Sequence, residues 1–256
     1  NGSVESETAV FFASLPADRV KIIRDDSPFN FSALNNHGAQ AAHGELLCLM
    51  NNDIEILTPD WLEEMVSFAM QPEVGCVGAR LWYPDGRLQH GGVILGVGGV
   101  AGHSHKYVQR GDGNYFGRAV LHQSLSAVTA AVLLVRRPVF DAVNGLDEAL
   151  VIAFNAVDFC LRIQAAGYRN VWTPYAEMIH HESVSRGNED TPEKQARFTN
   201  EVHKMQARWG EKLMLDPAYS PNLSLDYEDF SLAWPPRVEL LTDNKISGCK
   251  GKINSG

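Results

Sequence analysis

The sequence predicts an α/β protein built on a parallel strand–helix–strand crossover. Three observations carry this reading. Glu45-Leu-Leu-Cys-Leu-Met50 is a continuous apolar run, the pattern of a central strand covered on both faces. It follows a β-branched run, Val20-Lys-Ile-Ile-Arg24, and then a set of small residues spaced for a close-packing helix, Ala33, Leu34, Gly38, Ala39 and Ala42. A second apolar run, Ser126 to Val135, marks another buried strand.

Bulk properties narrow the class. The chain has 256 residues, 45% hydrophobic and 21% charged, which suits one large globular domain or two small ones and excludes a disordered, collagenous or disulfide-stapled protein. No apolar run reaches the roughly 18 residues of a membrane span. Asn1-Gly2-Ser3 has neither the basic flank nor the apolar core of a signal peptide, so a soluble, cytoplasmic chain without a transmembrane segment is expected. Lys plus Arg number 22 against 31 Asp plus Glu, so no broad basic surface exists and nucleic acid is not an expected partner. Cys48, Cys76, Cys160 and Cys249 are far apart, with no CxxC pair, and three of them lie in apolar segments as expected buried free thiols.

The elements follow in order. The strand from Val20 ends at Asp25-Asp26-Ser27-Pro28, and the small-residue helix ends near His43-Gly44. The strand ending at Met50 runs into Asn51-Asn52-Asp53-Ile54-Glu55, and Thr58-Pro59-Asp60 opens an amphipathic helix through Trp61, Leu62, Met65, Val66 and Phe68. Acidic side chains at the carboxyl end of a buried strand sit where open α/β sheets bind ligands, which makes Asp53 a site candidate. The Gly91–Gly99 stretch reads as a hairpin or loop, because Gly96-Val-Gly98 lacks the spacing of a phosphate-binding turn. His103 and His105 would face one side of a strand; the alternatives are metal ligation and loop-anchoring or exposed histidines.

After Ser126–Val135 comes a helix-like stretch from Pro138 to Val143 and the turn Asn144-Gly145-Leu-Asp147-Glu148. Val157, Cys160, Leu161 and Ile163 form one helical face closed by Gly167. Asn170–Pro174 and Ala176–His180 read as two short strands, followed by a polar stretch from Glu182 to Glu193 and a helix from about Pro192 to Trp209. From Asp216 the chain is turn-rich, and from about Thr242 it has the composition of a flexible tail.

Six segments, in order and spacing, resemble the inverting family 2 glycosyltransferases of the GT-A fold, in the branch that builds bacterial surface polysaccharides. They are Arg24–Asn36, Leu49–Glu55, Pro59–Met65, Asn144–Glu148, Asn155–Arg162 and His180–Gly187. The resemblance implies a Rossmann-like mixed sheet flanked by helices and lacking its first strands, with residues 1–235 forming the glycosyltransferase domain and 236–256 a flexible tail. It implies a nucleoside-diphosphate-sugar donor, a glycan or lipid-linked glycan acceptor, and a divalent metal, Mg2+ or Mn2+. A cytoplasmic location peripheral at the inner membrane face goes with that acceptor.

The residues give the resemblance a physical content. Departure of a nucleoside diphosphate needs its growing charge neutralised, which a divalent metal does as a Lewis acid. Asn51-Asn52-Asp53 resembles the family's Asp-x-Asp motif with the first acid replaced by an amide, leaving Asp53 as the main carboxylate ligand. His180 resembles the late histidine that closes the metal and diphosphate site; His181, pointing the other way, is the weaker candidate. The competing readings are a helix-flanking turn acid for Asp53 and a packed strand histidine for His180. Arg24 and Asn35 map to donor-contacting positions, although a strand-end arginine also suits a solvated surface; Asn51 and Asn52 are grouped with them as donor-binding. Phe29 and Phe31 read as core residues.

Two departures stand out. Inversion needs a carboxylate to take the acceptor hydroxyl's proton, and in the family this base is the second acid of the motif that here reads Asn155-Ala156-Val157-Asp158. Ala156 cannot accept a proton. Asp158 lies about 200° further round a helix and reads as a structural helix-terminal acid or a hydrogen-bond partner of the following turn. The second departure is the start at Asn1-Gly2-Ser3, which in the family follows a strand, turn and helix that cradle the nucleobase; an incomplete nucleobase pocket and an uncovered sheet edge are expected. The sequence therefore predicts a glycosyltransferase impaired at its base position, with a noncatalytic nucleotide- or glycan-binding pseudoenzyme as the alternative.

Overall fold

In a computed structural model, residues 2–181 and 191–238 are described. Helix α1 (Ser6–Ser14) buries none of its residues, and the segment 20–24 is extended and exposed without joining a sheet. The first expected strand is thus not formed: its apolar Ile22 and Ile23 stay largely exposed, and no described strand lies beside them. Helix α2 (Phe31–Ala41) forms where the small residues predicted it, and its N-cap Asn30 accepts a hydrogen bond from Ala33 N.

Strand β1 (Leu46–Met50) lies at the end of the sheet rather than at its centre. Its neighbour among the described strands is β8 (Val132–Arg136), paired antiparallel with Cys48 opposite Leu134. The parallel crossover expected from α2 and its flanking runs is therefore not formed among the described residues. Cys48 and Met50 alternate outward from the buried Leu47 and Leu49, so Cys48 is an exposed thiol, whereas Cys76 and Cys160 are buried as expected. Cys249 lies outside the described residues.

The remaining strands are β2 (Ile54–Ile56), β3 (Val74–Trp82), β4 (Leu88–His90), β5 (Val93–Leu95), β6 (Ala101–His103), β7 (Gln123–Leu125) and β9 (Arg169–His180). The main sheet runs β1-β8-β3-β9-β2, with β4 beside β3 and β7 beside β9; β5 and β6 form a separate hairpin. Among the described strands only β3 and β9 pair in parallel, so the sheet is mixed. The two short strands expected around Pro174 are one long strand. Its register against β3 shifts between Gly78, opposite Trp172, and Arg80, opposite Glu177, which accommodates a proline that has no N–H for the ladder.

Helices α3 (Trp61–Ala69), α4 (Arg137–Ala142), α5 (Asn155–Ala165) and α6 (Pro192–Trp209) complete the layers. Alternation along β8 assigns the faces. Leu133 and Val135 pack with Phe140 and Phe159 from α4 and α5, whereas Val132 and Leu134 pack with Met65 and Ala69 from α3. The apolar run before β8 is buried but irregular from Ser126 to Ala131, and it shapes the cavity described below. His105 lies beyond β6, in a left-handed turn with φ 58°, and its ring stacks on Phe230, so it does not share a strand face with His103. Arg237, within the segment expected to be tail, donates to the carbonyls of Leu223, Met214 and Ser220, so the chain is fastened at least that far. The polar stretch 182–190 and residues 239–256 lie outside the described residues.

Candidate donor and metal site

The turn after β1 carries Asn51-Asn52-Asp53 from one end of the sheet to the other. Asn51 N donates to Ala131 O beside β8, and β2 then starts against the last residues of β9, with Ile54 opposite His180. His181 N donates to Asp53 O, so the backbone pairing itself brings the Asp53 and His180 side chains together. Their Oδ1 and Nε2 atoms lie 3.2 Å apart. Asn52 is exposed in the turn, and His181 turns away to contact Glu55 at 3.2 Å.

The tautomer of His180 follows from its neighbours. Gln89 Oε1 lies 2.8 Å from Nδ1, while Gln89 Nε2 donates to the His180 carbonyl at 3.4 Å, which fixes the amide with its oxygen toward the ring. Nδ1 must then carry the proton. Asn51 Nδ2, a donor, sits 3.2 Å from Nε2, consistent with a lone pair there. Asp53 Oδ1 is buried and accepts no hydrogen bond among the described residues, despite its ion-pair distance to that nitrogen. Two lone-pair atoms therefore converge with no proton aligned between them, an arrangement that a bound cation relieves. One carboxylate oxygen and one imidazole nitrogen suit Mn2+ or Mg2+, whose shells are commonly completed by substrate phosphates and water. No group of three or more metal-ligating side chains occurs among the described residues.

A cavity of about 430 Å³ opens beside this pair. Asn51, His180, His103, Thr129, Phe154, Asn155 and Ala156 are among the residues that line it. No carboxylate lines it among the described residues. Ala156 is the second residue of α5, buried, and lines the cavity. Asn155 spends both ends of its amide locally, donating to Ile152 O and accepting from Ala156 N, and so holds the helix start rather than a ligand. Phe154, just before it, has φ 59°, an unusual conformation for a residue with a side chain.

The structure does not bring every candidate to this cavity. Arg24 is exposed and paired with Asp26 at 2.9 Å, and Asn35 donates to Phe31 O within α2; neither lines the cavity. Asp158 is fully buried and accepts from Arg162, Arg208 and Trp209, tying α5 to α6. The turn 144–148 serves packing as well: Asn36 donates to Leu146 O and Glu148 Oε1 and accepts from Leu146 N, which clamps α2 onto it. Phe31, expected in the core, is half-buried and lines the cavity.

Sequence reasoning missed three contributors. Gln89 and His90, on β4, and Glu201, on α6, belong to none of the segments that carried the resemblance. Glu201 is buried in a largely polar helix, and its carboxylate accepts from the backbone N–H groups of Val151, Ile152 and Ala153, the loop leading to Phe154 and Ala156. A lone buried acid on a polar helix leaves no periodic mark in the sequence.

Comparison with known proteins agrees with this architecture. A protein of Sinorhizobium fredii described as uncharacterised, y4gI, is 54% identical over 238 residues, covering 92% of this chain and 26% of its own length. The O-antigen biosynthesis protein RfbC of Myxococcus xanthus is 37% identical over 92% of this chain and 18% of its own. The chain thus spans about a quarter or less of the length of these relatives. An N-acetylglucosaminyl-diphospho-decaprenol L-rhamnosyltransferase of Mycobacterium tuberculosis is 37% identical over 62 residues, 24% of this chain and 20% of its own. Among solved structures, GalNAc-T7 with UDP, GalNAc and Mn2+ shares the fold at TM-score 0.60 and 14% identity, over 82% of this chain and 40% of that one. The mannosyltransferase PcManGT of Pyrobaculum calidifontis with GDP-Man and Mn2+ does so at 0.52 and 13%, over 79% and 50%. The mixed sheet with flanking helices is the GT-A glycosyltransferase architecture, and residues 1–143 match the family described as glycosyl transferase family 2. This chain belongs to glycosyl transferase family 2.

Proposed function

We propose that the chain carries the donor site of a metal-dependent, inverting glycosyltransferase, which moves a sugar from a nucleoside diphosphate to a hydroxyl of a glycan or lipid-linked glycan in surface polysaccharide synthesis. The observation that carries this reading is the pair Asp53 Oδ1 and His180 Nε2, 3.2 Å apart, with the buried oxygen lacking a hydrogen-bond donor. These two atoms would hold Mg2+ or Mn2+. When bound, the cation supplies Lewis-acid neutralisation of the charge that gathers on the departing diphosphate. Gln89 keeps His180 in the tautomer that presents a lone pair to Asp53. Residues 152–156 also line the cavity. The Mn2+ complexes of the two structural neighbours support the choice of ion.

The test is Mn2+ binding by electron paramagnetic resonance, with and without UDP or GDP. The chain should bind Mn2+ more tightly with nucleotide present, and Asp53→Asn or His180→Ala should weaken it by about tenfold or more. Unchanged Mn2+ binding in both variants would overturn the assignment.

One observation favours a second reading, the noncatalytic module: Ala156, at the position where the resemblance implies a proton acceptor, lines the cavity. The two readings separate on Ala156→Asp. Under the first, transfer in a protein containing this chain rises by about 10²–10⁴-fold with donor affinity little changed; under the second it stays absent.

A further inference from the structure

The cavity lining holds a second histidine, His103, whose protonation pattern is set by a chain of hydrogen bonds. Thr129 N–H donates to His90 Nε2 at 3.3 Å. A backbone amide has no other role, so this nitrogen carries a lone pair and the His90 proton sits on Nδ1. That Nδ1 lies 2.9 Å from Nδ1 of His103, which must therefore accept. The proton of a neutral His103 is then on Nε2, at the ring edge turned away from His90. His90 is fully buried, His103 is half-buried and lines the cavity, and His103 Nε2 finds no partner among the described residues.

Both rings are held neutral. Burial, aided by the neighbouring His103 and His180, holds His90 well below the ordinary histidine range, and burial with the charges of Lys106 and His180 pushes His103 down to about 4. A neutral ring with Nδ1 occupied and Nε2 protonated can donate to an oxygen in the cavity and cannot take a proton from one.

We propose that His103 is a specificity-determining residue that donates a hydrogen bond from Nε2 to an oxygen of the glycosyl group, and that His90 is the positioning residue that fixes this polarity. The neighbouring wall suits a sugar. Val93, Ala101 and Val128 are apolar, so ring C–H groups meet carbon while an equatorial or axial hydroxyl oxygen meets the imidazole N–H. A nucleoside diphosphate without its sugar would leave this donor untouched. The assignment rests on the reading of the cavity as a sugar-nucleotide site, and it also denies His103 the part of replacement base for Ala156.

The experiment is imidazole 15N NMR of the whole chain labelled at histidine, with UDP, GDP, dTDP and their common sugar conjugates as probes in the presence of Mg2+. Without nucleotide, His103 should show the Nε2–H tautomer from pH 6 to 8; the Nδ1–H form, or a cationic ring at pH 7, would overturn the proposal. His90→Phe removes the donor to Nδ1 and should convert His103 to a tautomer mixture. If His103 keeps a pure Nε2–H form in that variant, His90 is not its positioning residue. A bound sugar nucleotide should shift His103 Nε2, whereas the matching bare nucleotide should shift His180 alone. A shift of His180 with His103 unmoved by every conjugate overturns this inference and leaves the donor site standing. No response of His180 to any probe overturns the donor site, and this inference with it. For a conjugate that binds, His103→Phe should lose about tenfold in affinity relative to the bare nucleotide, and His103→Gln, which keeps an N–H donor, should recover most of it. Equal affinity in all three forms would refute the contact.

Discussion

Removing the Glu201 carboxylate should loosen the wall that holds Ala156 before it affects anything else. Glu201 is 1% exposed, and its two oxygens accept from three successive backbone N–H groups at 2.7, 3.1 and 2.9 Å. Hydrogen bonds to a charged acceptor contribute about 1.5–3 kcal/mol each. Their sum overstates the loss, because Glu201→Ala also removes the cost of burying a carboxylate, and residues 151–153 are only half-buried, so water reaches the freed amides. We expect a net loss of about 3 kcal/mol for Glu201→Ala and about 1–2 kcal/mol for Glu201→Gln, which retains one acceptor oxygen. The assay is urea unfolding, with hydrogen exchange of the 151–153 amides as the local readout. If Ala proves too unstable to purify, the Gln variant still tests the ranking. A midpoint within error of the parent, with exchange at 151–153 unchanged, would refute the clamp.

Three further outcomes are expected. Asp158→Ala strands Arg162 and Arg208 beside a fully buried site and should cost about 3–5 kcal/mol in urea unfolding, with Asp158→Asn costing less; equal stability would remove Asp158 from the α5–α6 junction. Gly145 sits at φ +62° and a Cβ there would lie 2.6 Å from Asn36 Oδ1, so Gly145→Ala should cost about 2 kcal/mol or more by the same measurement. Because folding depresses the pKa of His103 from 6.5 to about 4, and that of His90 in the same direction, the unfolded chain binds more protons between those values. Stability contributed by these rings is present above pH 6.5 and lost as pH falls through about 4; urea midpoints at pH 7.5 and 5 should differ, and less so in His90→Phe.

The candidate site was legible to different depths. Asp53 and His180 were singled out from a strand end and a late histidine, 127 positions apart in the numbering, and the β2–β9 pairing sets them side by side. Ala156 draws attention because the resemblance puts an acid at its position, and the residue lines the cavity. Layer identity was legible as well, because α2, α3, α5 and α6 each carry an unbroken helical pattern. Pairing was not. Apolar runs show that a strand is covered but not by whom, so β1 was read as central and parallel when it is terminal and antiparallel. The Val20–Arg24 run has strand propensity without a described partner, and propensity alone does not make a strand. Gln89, His90 and Glu201 act through hydrogen bonds to residues far along the chain, which no local spacing encodes.

The placement of β9 has a consequence for how such a protein comes into being. This strand pairs with β2, β3 and β7, and its last residue supplies one half of the Asp53–His180 pair. During synthesis the chain emerges with β2 and β3 long before β9, and the parallel β3–β9 contact joins residues separated by about 95 positions. Such a closure is entropically slow and must wait until β9 has been made. The Asp53–His180 pair therefore cannot form before β9 has emerged; under the proposed metal assignment, Mn2+ capture should appear only as β9 inserts and should report that step.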